Sequence, residues 1–140
     1  FLGVATFVVF PAAPPWLASR NGYIEETVHR ALGRGWSLVG LDVAERLLSK
    51  GQAAVNLTAA IPSLHSAYAA LVAAALWPTV SWLSRTVLVT YAVAMGVTLV
   101  FGGEHYVVDV LIGWAYVALT MVLVAGVERW WSRRGSPVAE

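Results

Sequence analysis

Long, nearly uncharged apolar runs limit most strongly how this chain can fold. Three of them, residues 64–84, 86–102 and 105–128, approach the ~20 residues that a helix needs to cross a bilayer. Phe1–Phe10 has the same character and is interpreted as the tail of a fourth span. Because the chain opens inside this run without a methionine, we expect N-terminal helices to be missing. The sequence predicts an all-α integral membrane helical bundle, with residues 1–140 forming one membrane-embedded domain.

The composition supports lipid as the main solvent of this chain. Apolar residues make up 59% and charged residues 12%, whereas soluble domains average about 45–50% and about 25%. The net charge of +1 gives no basis for nucleic-acid binding. The absence of cysteine excludes disulfides, thiolate metal sites and cysteine nucleophiles.

A polar stretch, Pro11–Ile61, separates the first apolar run from the second. It opens with several prolines, which cannot continue the preceding helix because they lack an amide donor and restrict their predecessors. Within it, Glu25–Leu32 and Leu41–Leu48 have helical apolar spacing with charges opposite. These two segments are predicted to be short helices at the membrane surface.

Small residues spaced four apart predict close helix packing inside the bundle. Ala70 with Ala74, and Ala92 with Gly96, form two such pairs. Gly113 lies four residues after Asp109 and therefore shares its helix face.

Basic residues indicate how the predicted spans are oriented. Arg85 falls in the predicted turn between two spans, and three arginines follow the last span within residues 129–134. Alternating spans place both groups on one side, which the positive-inside tendency assigns to the cytoplasm. The Pro11–Ile61 loop and the Gly102–His105 turn then face outward. We therefore expect the plasma (inner) membrane as the location, with this site on the extracytoplasmic side.

Two histidines fall at the same membrane depth in this topology, because His65 and His105 each begin a span on the outer side. His105 and Asp109 are four residues apart, so a helix places them on one face. A carboxylate bonded to one imidazole nitrogen fixes the tautomer and leaves the other nitrogen as a nucleophile or base. A carboxylate within a span is costly unless it is paired, although a purely structural partner such as Tyr or Trp would also suffice.

The segment around His65 has the features of an anion site at a helix start. Ser63 is placed to cap the span that begins at Leu64, and His65 follows among unpaired backbone amides. There His65 could donate a proton to the leaving oxygen of a phosphate, or it could be a hydrated histidine at the lipid boundary. Gly102 and Gly103 allow positive φ and bring amides close to a ligand, or form a plain turn.

Two strings of residues resemble motifs of a known family. Residues 62–67 (PSLHSA) and residues 103–109 (GEHYVVD) are similar to the second and third motifs of the type 2 phosphatidic acid phosphatase superfamily, which includes vanadium haloperoxidases. Both strings occur in the family order, and each begins a predicted span on the same side. The resemblance implies about six spanning helices in the intact protein, of which the last three and part of a fourth are present here.

The resemblance also implies a role for each site residue. His105 would attack phosphorus and form a phosphohistidine, and Asp109 would orient that histidine. His65 would protonate the departing oxygen, while Ser63 and the amides near Gly103 would bind phosphate. The expected partners are a lipid phosphate substrate and membrane lipids, with neither a metal nor another cofactor. These roles agree with phosphoryl transfer as mainly positioning and charge stabilisation.

The chain departs from the family pattern at its phosphate-binding cations. Thr98 and Leu99 stand where the third motif usually has Ser-Arg, and the first motif, a lysine followed by Arg-Pro, is absent. Arg20 is our first candidate to replace these cations, because the prolines before it should hold it near the membrane face. The other candidates in the outer loop are Arg30, Arg34, Arg46 and Lys50.

Two features of the chain, the missing third-motif arginine and the Pro14–Trp16 segment, resemble those of one branch of the family. That branch contains inositol phosphorylceramide synthases. The sequence therefore predicts a lipid phosphatase with a histidine nucleophile, or alternatively a phosphotransferase that moves an inositol-phosphate-type head group to a lipid acceptor. A non-catalytic scaffold or transporter subunit is a further alternative. A haem carrier ligated by the two histidines is another, but it leaves Asp109 and Ser63 unexplained.

Overall fold

The computed structural model of the chain describes residues 2–31, 40–43, 46–47 and 58–134. Within this part, the only extended pairing is an isolated parallel bridge between Ala12 and Ala59. The predicted all-α fold is therefore confirmed. The helices with described bounds are α1 (Leu2–Val9), α2 (Pro15–Arg20), α3 (Leu64–Leu76), α4 (Trp82–Phe101) and α5 (Val107–Arg134).

Two of these helices are long and apolar enough to cross a membrane. They are α4, with 20 residues, and α5, with 28 residues. Helix α3 is also apolar but has only 13 residues. The fold is thus the membrane helical bundle that the apolar runs predict, although its helices differ in length.

The prediction that one span covers residues 64–84 is wrong, because α3 ends at Leu76. Trp77 is the C-cap, and Pro78 after it has no amide hydrogen to continue the helix. Ser81 then caps α4, since its hydroxyl accepts a hydrogen bond from the Ser84 amide at 3.4 Å. Hydropathy alone does not detect this break because the connecting residues are themselves largely apolar.

The placement of Arg85 in an interhelical turn is consequently wrong as well. Arg85 lies in the first turn of α4. Its Nε donates to the Trp77 carbonyl oxygen at 2.9 Å, and its guanidinium lies 5.2 Å from the centre of the Trp77 ring. Arg85 thus stabilises the connection between α3 and α4. It lies at the same end of the bundle as the arginines that end α5.

The prediction of a surface helix at Glu25–Leu32 is wrong for residues 25–31, which are not helical; Leu32 lies outside the described residues. Side-chain bonds replace the helical ones. The Ser19 hydroxyl donates to the Glu26 carbonyl at 2.8 Å and accepts from the Val28 amide at 3.0 Å. These bonds hold the segment against α2.

The second predicted surface helix, Leu41–Leu48, is described only in part. Residues 42–43 and 46–47 are helical, as predicted, whereas Leu41 is not. Residues 44, 45 and 48 lie outside the described part of the chain.

Helices α3 and α5 approach each other closely at Gly113. A Cβ built on Gly113 would lie 2.7 Å from the Ser63 carbonyl oxygen and 3.4 Å from Ala67 Cβ. The prediction that Gly113 shares a packing face with Asp109 agrees with this arrangement, because both residues are buried. The two helix starts are thereby brought side by side.

The other small residues also face the interior, with one shift in register. Ala92 and Gly96 of α4 are buried, as predicted. In α3 the buried pair is Ala69 and Ala73, one position before the predicted pair, whose members are half-buried. Helix α1 packs on α5, where the Thr6 hydroxyl and the Tyr116 hydroxyl are hydrogen-bonded at 3.0 Å.

We expect Gly113→Ala to lower the free energy of unfolding by about 1–3 kcal/mol, because the new methyl group overlaps the Ser63 backbone. The measurement is the melting temperature of the purified protein in detergent. Gly126→Ala is the matched control on the same helix, since nothing lies within 4 Å of its Cβ position. Equal melting temperatures for the two variants would contradict the close α3–α5 contact.

Candidate active site

His105 lies where the loop before α3, the turn after α4 and the start of α5 meet. Its side chain is buried, with the residue 7% exposed. Nδ1 is 2.9 Å from the Ala60 carbonyl oxygen and 3.4 Å from Asp109 Oδ2. Both partners are acceptors, so Nδ1 carries the hydrogen and Nε2 of the neutral ring has a free lone pair.

Asp109 is fully buried and organises the start of α5. Its Oδ2 accepts from the Tyr106 amide at 2.8 Å, while Oδ1 is buried without a hydrogen-bond partner among the described residues. Few hydrogen-bond donors therefore stabilise the negative charge of the carboxylate. A positive charge that develops on the neighbouring imidazole would be stabilised strongly in such a poorly hydrated place.

Ser63 joins the two helix starts through its backbone. Its amide donates to the Asp109 carbonyl oxygen at 3.0 Å. Its hydroxyl is fully buried and caps α3 by accepting from the Ser66 amide at 3.5 Å. The structure thus brings three of the predicted site residues, Ser63, His105 and Asp109, into one cluster.

His65 is placed differently from the other predicted catalytic residues. It lies in the first turn of α3, as predicted, but its side chain is exposed. The described contacts do not join it to His105.

The glycine turn, residues 102–105, connects α4 to the histidine. Gly103 has φ +70, the left-handed region that favours glycine. A Cβ there would lie 2.8 Å from Val28 Cγ1 and 3.2 Å from the His29 carbonyl oxygen. The outer loop therefore lies directly on this turn, and only glycine fits between them.

Backbone hydrogen bonds attach the outer loop to the glycine turn. The Trp16 amide donates to the Gly103 carbonyl oxygen at 3.1 Å, and the Ala31 amide donates to the Gly102 carbonyl oxygen at 3.1 Å. The carbonyl oxygens of Gly102 and Gly103, which follow α4, thus accept hydrogen bonds from a loop that is distant in sequence.

An ion pair between Arg30 and Glu104 adds a charged link beside the histidine. Arg30 Nε donates to Glu104 Oε1, and Arg30 Nη2 donates to Glu104 Oε2 at 3.1 Å. The Arg30 guanidinium also lies 4.9 Å from the centre of the Trp16 ring. Sequence reasoning did not find this pair, because no local pattern connects residues 74 positions apart.

The candidate cations of the outer loop are placed unequally. Arg20 ends α2 with an exposed side chain and lines the same pocket as Arg30. Arg46 is helical and exposed, whereas Arg34 and Lys50 lie outside the described residues. Among the residues that the structure describes, no three His, Asp or Glu side chains are grouped as metal ligands.

The family model of the PAP2 superfamily matches residues 1–123, and the chain belongs to that superfamily. The resemblance predicted from the two motifs is therefore confirmed. The phosphoinositol dihydroceramide synthase of Bacteroides thetaiotaomicron is 28% identical over 146 aligned residues. That alignment covers 94% of this chain and 46% of the synthase, so the chain spans a little under half of this curated relative. No solved structure matches the chain.

We expect Gly103→Ala to loosen the outer loop, because a methyl group at this positive φ would push against Val28 and the His29 backbone. Limited trypsinolysis after Arg30 should become several-fold faster. Gly22→Ala is the matched control, since Gly22 has φ +76 but nothing within 4 Å of its Cβ position. Equal cleavage rates in both variants would show that the glycine turn does not hold the loop.

Proposed function

We propose that this protein is a membrane enzyme that transfers a phosphoryl group from a lipid phosphate through a phosphohistidine on His105. The observation that carries the proposal is the environment of the imidazole: the Ala60 carbonyl and Asp109 hold the hydrogen on Nδ1. Nε2 is then the nucleophilic nitrogen. Membership of the PAP2 superfamily supports the same chemistry.

The proposed reaction has two steps that share one intermediate. First, His105 Nε2 forms a bond to phosphorus while the bond from phosphorus to the lipid oxygen breaks, and His65 gives that oxygen a proton. Then an acceptor hydroxyl or water gives a proton to His65, its oxygen attacks phosphorus, and the phosphorus–nitrogen bond breaks. Asp109, 3.4 Å from the ring, stabilises the positive charge of the imidazole between the steps.

The phosphate itself would lie between the start of α3 and the glycine turn. Ser63 can cap the helix with one lone pair of its hydroxyl and still donate its hydrogen to a phosphate oxygen. The side chain of Arg20 would supply further donors and positive charge. The amides of residues 102–105, which the resemblance assigns to phosphate, already donate to carbonyl oxygens near the end of α4. No step of this scheme requires a metal ion.

We further propose that the site opens on the extracytoplasmic side of the plasma membrane. Arg85 and the arginines at the end of α5 lie at the opposite end of the bundle from His105. Four of the nine Lys and Arg residues lie at that end, directly at the ends of spans, and the other five lie within the Pro11–Ile61 loop. We assign the cytoplasm to the group at the span ends. A substrate would then be a lipid of the outer leaflet.

The acceptor distinguishes two forms of the proposal. Water would make the protein a lipid phosphatase. Transfer of a phosphorylated head group to a lipid alcohol is the second candidate, and one comparison favours it specifically, since the Bacteroides relative is a phosphoinositol dihydroceramide synthase. Leu99 in place of the third-motif arginine agrees with that branch.

We expect His105→Ala to lower turnover of a lipid phosphate on the order of 10³-fold or more, because the nucleophile is removed. The wild-type protein, incubated with a lipid labelled at phosphorus in the presence of a chelator, should acquire an acid-labile, alkali-stable label. His105→Ala should acquire none. Val107→Ala, whose side chain is 60% exposed near the same helix start, is the control and should keep both activity and label.

The acceptor is tested by comparing products with and without an added lipid alcohol. We expect either His105-dependent free phosphate, which identifies a phosphatase, or a His105-dependent new phospholipid that forms only with the alcohol. Thin-layer separation of the labelled products measures both. If neither product forms with any lipid phosphate, the protein is not a phosphoryl-transfer enzyme, and the scaffold or transporter alternative takes its place.

A further inference from the structure

A polar pocket lies in the outer loop beside the glycine turn. Its volume is ≈ 350 Å³, near the lower end of the range for small-molecule sites and too large for a phosphate group alone. Side chains of α2 and of the extended segment after it form its walls. The polar and aromatic lining residues are Trp16, Ser19, Arg20, Thr27, His29 and Arg30.

Arg30 is the fixed cation of this pocket. Glu104 engages two of its donors, and the Trp16 ring lies under its guanidinium. A guanidinium has five N–H donors, so three remain for a ligand without release of Glu104. The Arg30 side chain is 32% exposed and Glu104 only 13%, so the arginine is the accessible member of the pair.

Trp16 contributes its ring to the wall of the pocket. The ring lies 4.9 Å from the guanidinium carbon of Arg30 and helps to hold that cation in place.

Hydrogen bonds connect residues of the pocket to the turn that precedes His105. The Trp16 amide is bonded to the Gly103 carbonyl, and Arg30 is bonded to Glu104, the residue before the histidine. A molecule in the pocket therefore lies beside the residues that carry the proposed nucleophile. Ser19 and Thr27 also line the pocket, although the Ser19 hydroxyl already bonds the Glu26 carbonyl and the Val28 amide.

We propose that this pocket binds the hydroxyl-bearing polar head group attached beyond the reacting phosphate, with Arg30 as its main donor. This inference rests on the proposed function and deepens it. In this arrangement Arg20 serves the phosphate itself, whereas Arg30 and Thr27 recognise the group that follows it. Arg30 is thus a specificity residue for lipids with a large head group over lipids with a bare phosphate.

The test compares two lipids with the same acyl chains, one a bare phosphate monoester and one with a polyol on the phosphate. For Arg30→Gln we expect KM for the polyol lipid to rise about tenfold or more, because a charge-assisted bond is lost. For the bare phosphate, kcat/KM should change less than about twofold. Thr27→Val should shift the same preference in the same direction by a smaller factor.

Arg85→Gln is the matched control, because Arg85 also lies over a tryptophan ring, 5.2 Å from its centre, but at the other end of the bundle. It should leave the preference between the two lipids unchanged. Equal losses on both lipids in Arg30→Gln, with no effect of Thr27→Val, would overturn the head-group pocket and leave Arg30 a structural role.

A binding experiment separates failure of the pocket from failure of the proposed function. If the wild-type protein turns over neither lipid, the proposed function fails, and calorimetric titration with glycerol phosphate decides the pocket alone. Binding that weakens about tenfold in Arg30→Gln supports the pocket. Absence of binding to the wild-type protein overturns it.

Discussion

The backbone contact between Ser63 and Asp109 is the interaction on which the rest of the site depends. It joins the starts of two helices that are separated by more than forty residues of sequence, and the bare surface of Gly113 permits this approach. With the helices fixed there, the Ala60 carbonyl oxygen and the Asp109 carboxylate both lie close to Nδ1 of the imidazole. The orientation of His105 is thus a product of backbone packing, which is less easily disturbed than a contact between two flexible side chains.

The outer loop belongs to the site as much as the helices do. It caps the carbonyls of Gly102 and Gly103, fills the space that a side chain at Gly103 would occupy, and places Arg30 against Glu104. Under the proposed function, a loop held in this way positions Arg20 next to the phosphate and Arg30 next to the head group beyond it. Leucine at position 99 replaces the usual arginine of the third motif.

Local patterns in the sequence predicted the fold class, the family and the pairing of His105 with Asp109. All three depend on residues close in sequence or on composition, which periodicity and spacing represent well. The prediction that His105 begins the last span is wrong, because α5 starts at Val107 and the pair forms with His105 just outside the helix. The break at Pro78 and Ser81 was missed because hydropathy averages over it, and the helix at Glu25–Leu32 failed because Ser19 and the glycine turn took its hydrogen bonds. The Ala60 carbonyl and the Arg30–Glu104 pair depend on tertiary contacts, which spacing along the chain does not encode.

The length of helix α5 can be compared with the thickness of a bilayer. Its apolar part ends just before Glu128, after roughly 30 Å at 1.5 Å per residue, which is close to the thickness of the hydrocarbon core. In a bilayer of that thickness, Trp130 and Arg134, which are stacked with 3.7 Å from the guanidinium carbon to the ring centre, would lie in the head-group layer at the far end. Asp109 is in the first turn of the same helix, so under the proposed function the length of the helix would set His105 near the level of the lipid phosphates. A lipid could then reach the histidine by lateral diffusion, without being lifted out of the bilayer.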